Sequence, residues 1–331
     1  MLVMDCTLRD GANVVGKGFD ARLTKMMIEG MIAAGITTIE MGNCLGLGAY
    51  EANNSIAPCT DEEYLKLVQP YLPQAEIGMF MGYRNASEKN IDLAAQYGLK
   101  FLRVGANAGD GAGACEGIKR VKAAGIKCRY SLMKAYVLPP TQLAEEAKML
   151  ADCGLDEITI MDSAGTMMPH QVTEYAKELV RAVDIPVAFH GHNNLGLSVA
   201  NAMAAAEGGA TVFDCGLLGM ARSAGNCATE LLVATFQRLG HMKDIDLYKL
   251  LDFLDEQLIP AMEEHQYHVA VKPFDLILGL AGCHSSFTKR FQEIAAGCGV
   301  PLYPLVVETS KLDQKAPSEE LIRQVAARLK Q

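Results

Sequence analysis

The chain has no tryptophan, and only 6% of its residues are aromatic. No run of about 18 uncharged apolar residues occurs, which excludes an ordinary membrane-spanning helix. Blocks of Lys or Arg are also missing. With 30 basic against 39 acidic side chains and a formal net charge of -9, the chain has no positive cluster for nucleic acid or an anionic membrane. The expected partners are small molecules or other proteins. The start, Met1-Leu2-Val3-Met4-Asp5, has neither a basic leader nor a long apolar stretch, so no secretory signal is expected. Ten cysteines are present, but no Cys-x-x-Cys pair. Cys6, Cys44, Cys128 and Cys215 lie in or beside apolar runs, where Cys commonly serves as a small buried hydrophobe. The expectation is reduced thiols in a cytoplasmic protein.

What is present is an alternation. Strand-like apolar runs cover Leu2 to Leu8, Thr37 to Gly42, Glu76 to Gly82, Phe101 to Ala106, Lys127 to Met133, Glu157 to Ser163, Pro186 to His192 and Thr211 to Leu217. Between them lie stretches with helical spacing, such as Leu23 to Ala34, Ser87 to Tyr97 and Thr141 to Cys153, each followed by a glycine. Glycine at that place suits the left-handed turn that stops a helix. Eight such units, with strands apolar on both faces, predict a (β/α)8 TIM barrel of the α/β class over residues 1–240. An open doubly wound sheet is the second choice. It should carry a G-x-G-x-x-G turn after its first strand, and Leu8-Arg9-Asp10-Gly11-Ala12-Asn13 is not one. Residues 241–331 read as a small helical C-terminal domain packed on the barrel. Its expected segments are Leu247 to Gln257, Leu276 to Leu280, Ser286 to Ala296 and Ser318 to Lys330.

Barrel enzymes work at the C-terminal ends of their strands. Polar residues concentrate there: Arg9 and Asp10, Glu40 and Asn43, Arg103 and Asn107, Asp162 and Ser163, His190 and His192. Buried, each would cost desolvation energy unless paired or bound. In a strand, residues two apart share a face, so His190 and His192 can present both imidazoles to one point. Asp10 is the best-placed carboxylate to complete that point as a divalent metal site with open positions. The donor set suits Mn, Fe, Co or Zn, and Mg where oxygens dominate. Arg9, charged at any relevant pH, can hold a carboxylate or an enolate oxygen. Alternatively it forms a salt bridge to Glu40 or Asp162 beneath the site. The Gly216 to Asn226 loop, with Arg222, is a weaker candidate for holding an anion.

Thr7-Leu8-Arg9-Asp10-Gly11, His190-Gly191-His192-Asn193-Asn194-Leu195-Gly196 and Ala224-Gly225-Asn226 resemble the TIM-barrel metallolyase superfamily that includes 3-hydroxy-3-methylglutaryl-CoA lyase and 2-isopropylmalate synthase. Leu278 to Phe287 is similar to the C-terminal domain of the superfamily's 4-hydroxy-2-oxovalerate aldolases. The resemblance implies a metal, usually Mn with Mg, Co or Zn as alternatives, on Asp10, His190 and His192. It also implies Arg9 stabilising a pyruvate enolate and Ser163 helping to hold the substrate. The products would be a 2-oxo acid and an aldehyde. Related aldolases pass the aldehyde to an acylating aldehyde dehydrogenase in a protein complex, and a homo-oligomer is compatible with this picture. Two positions depart from the pattern. The family histidine that serves as base is Asn13 here, and an amide is no general base near neutral pH. The family tyrosine before Ser-Ser-Phe is His284, whose imidazole is suited to proton transfer; a water held by Asn13 is a further candidate for the base.

Two other functions compete. A Claisen-type acyltransferase joining an acyl-CoA to a 2-oxo acid would share the metal triad, but those synthases carry a Glu in the strand-8 loop, where this chain has Arg222 or a neighbour. A non-catalytic binding relative would explain Asn13 and the lost tyrosine but not the retention of Asp10, His190, His192 and Arg9. The size and stereochemistry of the aldehyde half would be set by loop residues such as Tyr50, Tyr83, Asn107 and Tyr136.

Overall fold

The computed structural model describes residues 1–268, 273–281, 283, 287–313 and 317–330. Eight parallel strands close into a barrel in sequence order. They are β1 (Leu2–Asp5), β2 (Thr38–Met41), β3 (Glu76–Gly82), β4 (Phe101–Asn107), β5 (Lys127–Met133), β6 (Glu157–Asp162), β7 (Val187–Gly191) and β8 (Val212–Cys215). The barrel is sealed by β1 against β8, with Leu2 opposite Val212 and Asp5 opposite Cys215. The strands are buried almost throughout, because one face meets the helices and the other fills the barrel. The helix-stopping glycines behave as their spacing predicts. Gly35 and Gly98 take positive φ of 89° and 73°, a conformation that costs other residues a steric penalty.

The barrel interior is layered. Met4, Cys6, Phe101, Ala188 and Val212 form an apolar cluster separate from the main core between strands and helices. Two residues further along β4, β7 and β8, on the same inward face, stand Arg103, His190 and Asp214. An apolar layer is therefore followed by a charged one as each strand runs toward its C-terminal end. At the opposite end of the barrel Arg129 lies over the Phe101 ring, 4.3 Å from its centre, between Glu76 at 3.3 Å and Glu157 at 3.5 Å.

After the last barrel helix (Thr229–Arg238) the chain continues in helices that pack back on the barrel. The helix Leu247–Phe253 lies on the first barrel helix (Ala21–Ala33): the Phe253 ring occupies the space where a side chain at Gly30 would stand, and the Asp246 N–H donates to the Ala34 carbonyl at 2.8 Å. Here the expected single helix to Gln257 is interrupted by a wider π turn over Leu254–Leu258. The further segments are Pro273–Ala281, Thr288–Cys298, Leu302–Leu312 and Glu319–Leu329. The third of these, preceded by Pro301 and carrying Pro304, was not anticipated. Both sit at its start, where proline is tolerated.

One cysteine expectation is corrected. Cys115 and Cys153 are joined by a disulfide, with Cα atoms 5.6 Å apart. One stands at the start of the helix Cys115–Ala123 and the other just after the helix Pro140–Asp152, two helices of successive βα units. Spacing alone could not reveal this pairing. The remaining eight cysteines form no disulfide among the described residues.

Candidate active site

Asp10 lies just beyond β1, in a tight turn where the N–H groups of Arg9 and Asp10 both donate to the Cys6 carbonyl. His190 projects from β7, and His192 follows it past the strand end. His192 Nε2 stands 3.7 Å and His190 Nε2 3.5 Å from Asp10 Oδ2. The three donor atoms lie within 4.8 Å of one another, and all three residues are buried. The expected convergence of two imidazoles and a carboxylate is therefore met in space.

The second partners of these ligands come from the charged barrel layer. His190 Nδ1 is 3.1 Å from Asp214 Oδ2, which fixes the ring so that Nε2 turns toward Asp10. Asp214 also pairs with Arg103. Arg103 reaches Glu40 at 2.6 and 2.8 Å, and Glu40 accepts from Arg9 Nε at 2.5 Å. A continuous chain of buried charge, Arg9–Glu40–Arg103–Asp214–His190, thus links the two sides of the site beneath its floor. Arg103, expected at the rim, is fully buried in this chain. Arg9 also stands 3.1 Å from Asp10 and stacks on the Phe80 ring at 5.2 Å. Its Nη2 is buried with no hydrogen-bond partner among the described residues. The Glu40 salt bridge and a free donor therefore coexist on one guanidinium.

This charge layer sets the protonation states. Burial works against ionisation of Asp10, but Arg9, His190 and His192 outweigh it and hold the carboxyl well below its usual range. Burial likewise opposes ionised Asp214, yet Arg103 and His190 bring it down to about 2. His192 is pushed down to about 4, by burial first and by His190 second. It is neutral near pH 7, as a metal ligand must be.

The donor set fits a divalent cation on grounds of its own chemistry. Two buried atoms without a hydrogen-bond partner among the described residues border it, His192 Nδ1 and Asn226 Oδ1, while Asn226 Nδ2 lies 3.0 Å from Asp10 Oδ2. Asn226 is a residue whose role the sequence left unassigned. Its amide touches the same carboxylate oxygen as the histidines, and rotating that amide would turn its carbonyl to the centre. A second group with ligand chemistry, Cys6, His190 and Asp214, shares His190 and is explained by the charge chain.

The site opens into a cavity of about 380 Å³, within the usual range for small ligands. Arg9, Asp10, His190, His192 and Ser163 all line it, joined by Lys134 and Arg222. Ser163 Oγ accepts from the Lys134 N–H at 3.0 Å. Lys134 occupies the left-handed region with φ 56°, a strained position for a residue with a Cβ and one that clusters at functional sites. Nothing in its apolar surroundings marked it in the sequence. Asn13 is placed differently. Its Nδ2 donates to the Asp10 carbonyl at 2.8 Å and approaches Asp10 Oδ1 at 3.3 Å, so it braces Asp10 and does not line the cavity. Asn43 is bound to Ser55 and the Leu45 N–H, and Asp162 receives the N–H groups of Thr166 and Met167; both are structural. His284 lies outside the described residues.

A family model described as HMGL-like matches residues 1–256. Among curated proteins, the chain is 35% identical to the 4-hydroxy-2-oxovalerate aldolase of Carboxydothermus hydrogenoformans, over 99% of this chain and 96% of that protein. It is 33% identical to 4-hydroxy-2-oxovalerate aldolase 2 of Nocardia farcinica, over 99% and 94%. Among solved structures, the HMG-CoA lyase of Bacillus subtilis superposes with a TM-score of 0.65 at 18% identity, covering 81% of this chain and 95% of that one. At that identity the likeness speaks for the fold.

Proposed function

The chain belongs to the HMGL-like family, and on that premise we propose that it is a divalent-metal-dependent aldolase that cleaves or forms 4-hydroxy-2-oxo acids through a pyruvate enolate. The observation that carries this reading is a single cavity lined by Asp10, His190 and His192 together with the free Nη2 of Arg9. The relatives named 4-hydroxy-2-oxovalerate aldolase support the substrate class. Three cationic side chains, Arg9, Lys134 and Arg222, line that cavity against the one carboxylate of Asp10, which suits an anionic 2-oxo acid.

Asp10, His190 and His192 would hold the cation, most simply Mn, and when bound it would supply Lewis acidity. Lys134 and Arg222 neutralise the substrate carboxylate, and Ser163 borders it. When the bond between C3 and C4 breaks, its electron pair moves to C3 and the C2 oxygen gains negative charge. Arg9 Nη2 donates to that oxygen, and because Glu40 and Phe80 already fix the guanidinium, little reorganisation is needed. His284 takes the proton of the 4-hydroxyl as the aldehyde forms. The enolate is then protonated at C3 to give pyruvate. A reactive aldehyde product would suit direct transfer to an acylating aldehyde dehydrogenase in the cytoplasm, within a homo-oligomeric assembly.

The test is pyruvate release from 4-hydroxy-2-oxovalerate with Mn added and again after chelation. Release that depends on metal supports the reading. Absence of release from protein shown to hold metal sinks it for this substrate, and thiol release from an acyl-CoA would redirect it to the acyltransferase.

A further inference from the structure

Beside the cavity of the metal centre lies a second one, of about 340 Å³, which the chemistry above leaves unused. Leu45, Gly82 and Met133 line both, so the two spaces are neighbours across these residues. Gly82, at the end of β3, has extended backbone with φ -60° and ψ 138°. Its conformation does not require glycine. A Cβ built there meets nothing within 4 Å among the described residues, so a larger side chain at Gly82 would extend into open space at the border that the two cavities share.

The second cavity has different chemistry from the first. Its polar side chains include the carboxamides of Asn53, Asn85 and Asn107, with Arg84 and Asp110. A carboxamide both donates and accepts hydrogen bonds, as a hydroxyl group does. The formal charges of Arg84 and Asp110 cancel, which favours a neutral ligand. At about 30 Å³ per water, the space is that of on the order of ten waters, far more than a methyl group needs.

We propose that this compartment receives the aldehyde-derived half of the substrate, and that this half is a neutral polyhydroxylated chain of at least three carbons. The inference rests on the aldolase reading of the first cavity. In the bond-forming direction, C3 of the pyruvate enolate joins the aldehyde carbon, and the aldehyde oxygen takes up a proton to become the 4-hydroxyl. Glyceraldehyde would thus give a six-carbon 4,5,6-trihydroxy-2-oxo acid.

The test compares pyruvate condensation with glyceraldehyde and erythrose against propanal and butanal, with Mn present. Deuterium exchange into the pyruvate methyl group reports enolate formation independently. The hydroxyaldehydes should exceed alkanals of equal length by at least tenfold in kcat/KM. Gly82→Leu should reduce kcat/KM for glyceraldehyde at least tenfold more than for acetaldehyde, and Asn107→Leu should narrow the preference toward propanal. Binding of the unreactive polyol threitol, read by saturation-transfer NMR, should weaken in both variants. Exchange accompanied by equal or better use of the alkanals would overturn the polar compartment and leave the aldolase reading standing. Loss of both exchange and condensation would overturn both.

Discussion

Replacing Asp214 by Asn tests whether the buried charge chain beneath the cavity serves the metal ligands. Asp214 lies 3.1 Å from His190 Nδ1 and pairs on its other side with Arg103. Its carboxyl, held down to about 2 by Arg103 and His190 against the effect of burial, is ionised at any working pH. It therefore accepts from Nδ1 and orients the ring with Nε2 toward Asp10. Asparagine has nearly the same shape but no charge, and its amide can offer a donor where the imidazole needs an acceptor. Losing such an outer partner typically costs 10–100-fold in metal affinity, or about 1.4–2.8 kcal/mol. Breaking a buried ion pair costs about 3–5 kcal/mol of stability. Arg103 keeps Glu40 at 2.6 Å, so the lower end of that range is expected and the barrel should remain folded. Mn affinity would be measured by competition with a metallochromic indicator, alongside a thermal melt. Glu157→Gln, at the other end of the barrel, serves as the control and should bind metal as the native chain does. A folded Asp214→Asn protein with metal affinity within twofold of the native value would refute the orienting role.

Three further outcomes follow from named contacts. Arg9→Lys retains a positive charge but loses the fork that engages Glu40 and the enolate oxygen together, so kcat should fall by about 10²–10³ in steady-state pyruvate release. Burial raises the Glu157 carboxyl to about 7, with Arg129 opposing the rise. The folded state therefore holds a proton that the unfolded chain has released between about pH 4.5 and 7, and stability declines as pH rises through that window. Glu157→Gln should melt near the native temperature at pH 5 and be more stable at pH 8, with a ceiling of about 3 kcal/mol; equal melting at both values would contradict this. His284→Gln should lower kcat by about 10²–10⁴ in steady-state pyruvate release, and an unchanged kcat would move the base elsewhere.

Much of the barrel was legible because its signals are local. Apolar runs bounded by glycines located all eight strands, with ends differing by at most a few residues. The His190, His192 and Asp10 convergence was also readable, since period-two geometry and the fixed position of strand ends leave little freedom. The inward-facing charges were harder to interpret. Arg103 and Asp214 look like rim or surface residues until the barrel closes and sets them against Glu40 and His190. Lys134 carries its information in a backbone angle, which a sequence does not display. Asn13 occupies the place where the family pattern has a base, and only its contacts reveal a brace for Asp10. The Cys115–Cys153 link and the helix Leu302–Leu312 depend on packing between distant segments and on proline placement within a helical turn.

The most direct test of the central claim is deuterium exchange into the methyl group of pyruvate, followed by NMR in the native protein and in His190→Ala, each with Mn and after chelation. It isolates enolate formation from the identity of the aldehyde. The account predicts exchange in the metal-loaded native protein, abolished by chelation and by the substitution. Exchange that persists in metal-free native protein, or in a folded His190→Ala variant, would contradict it.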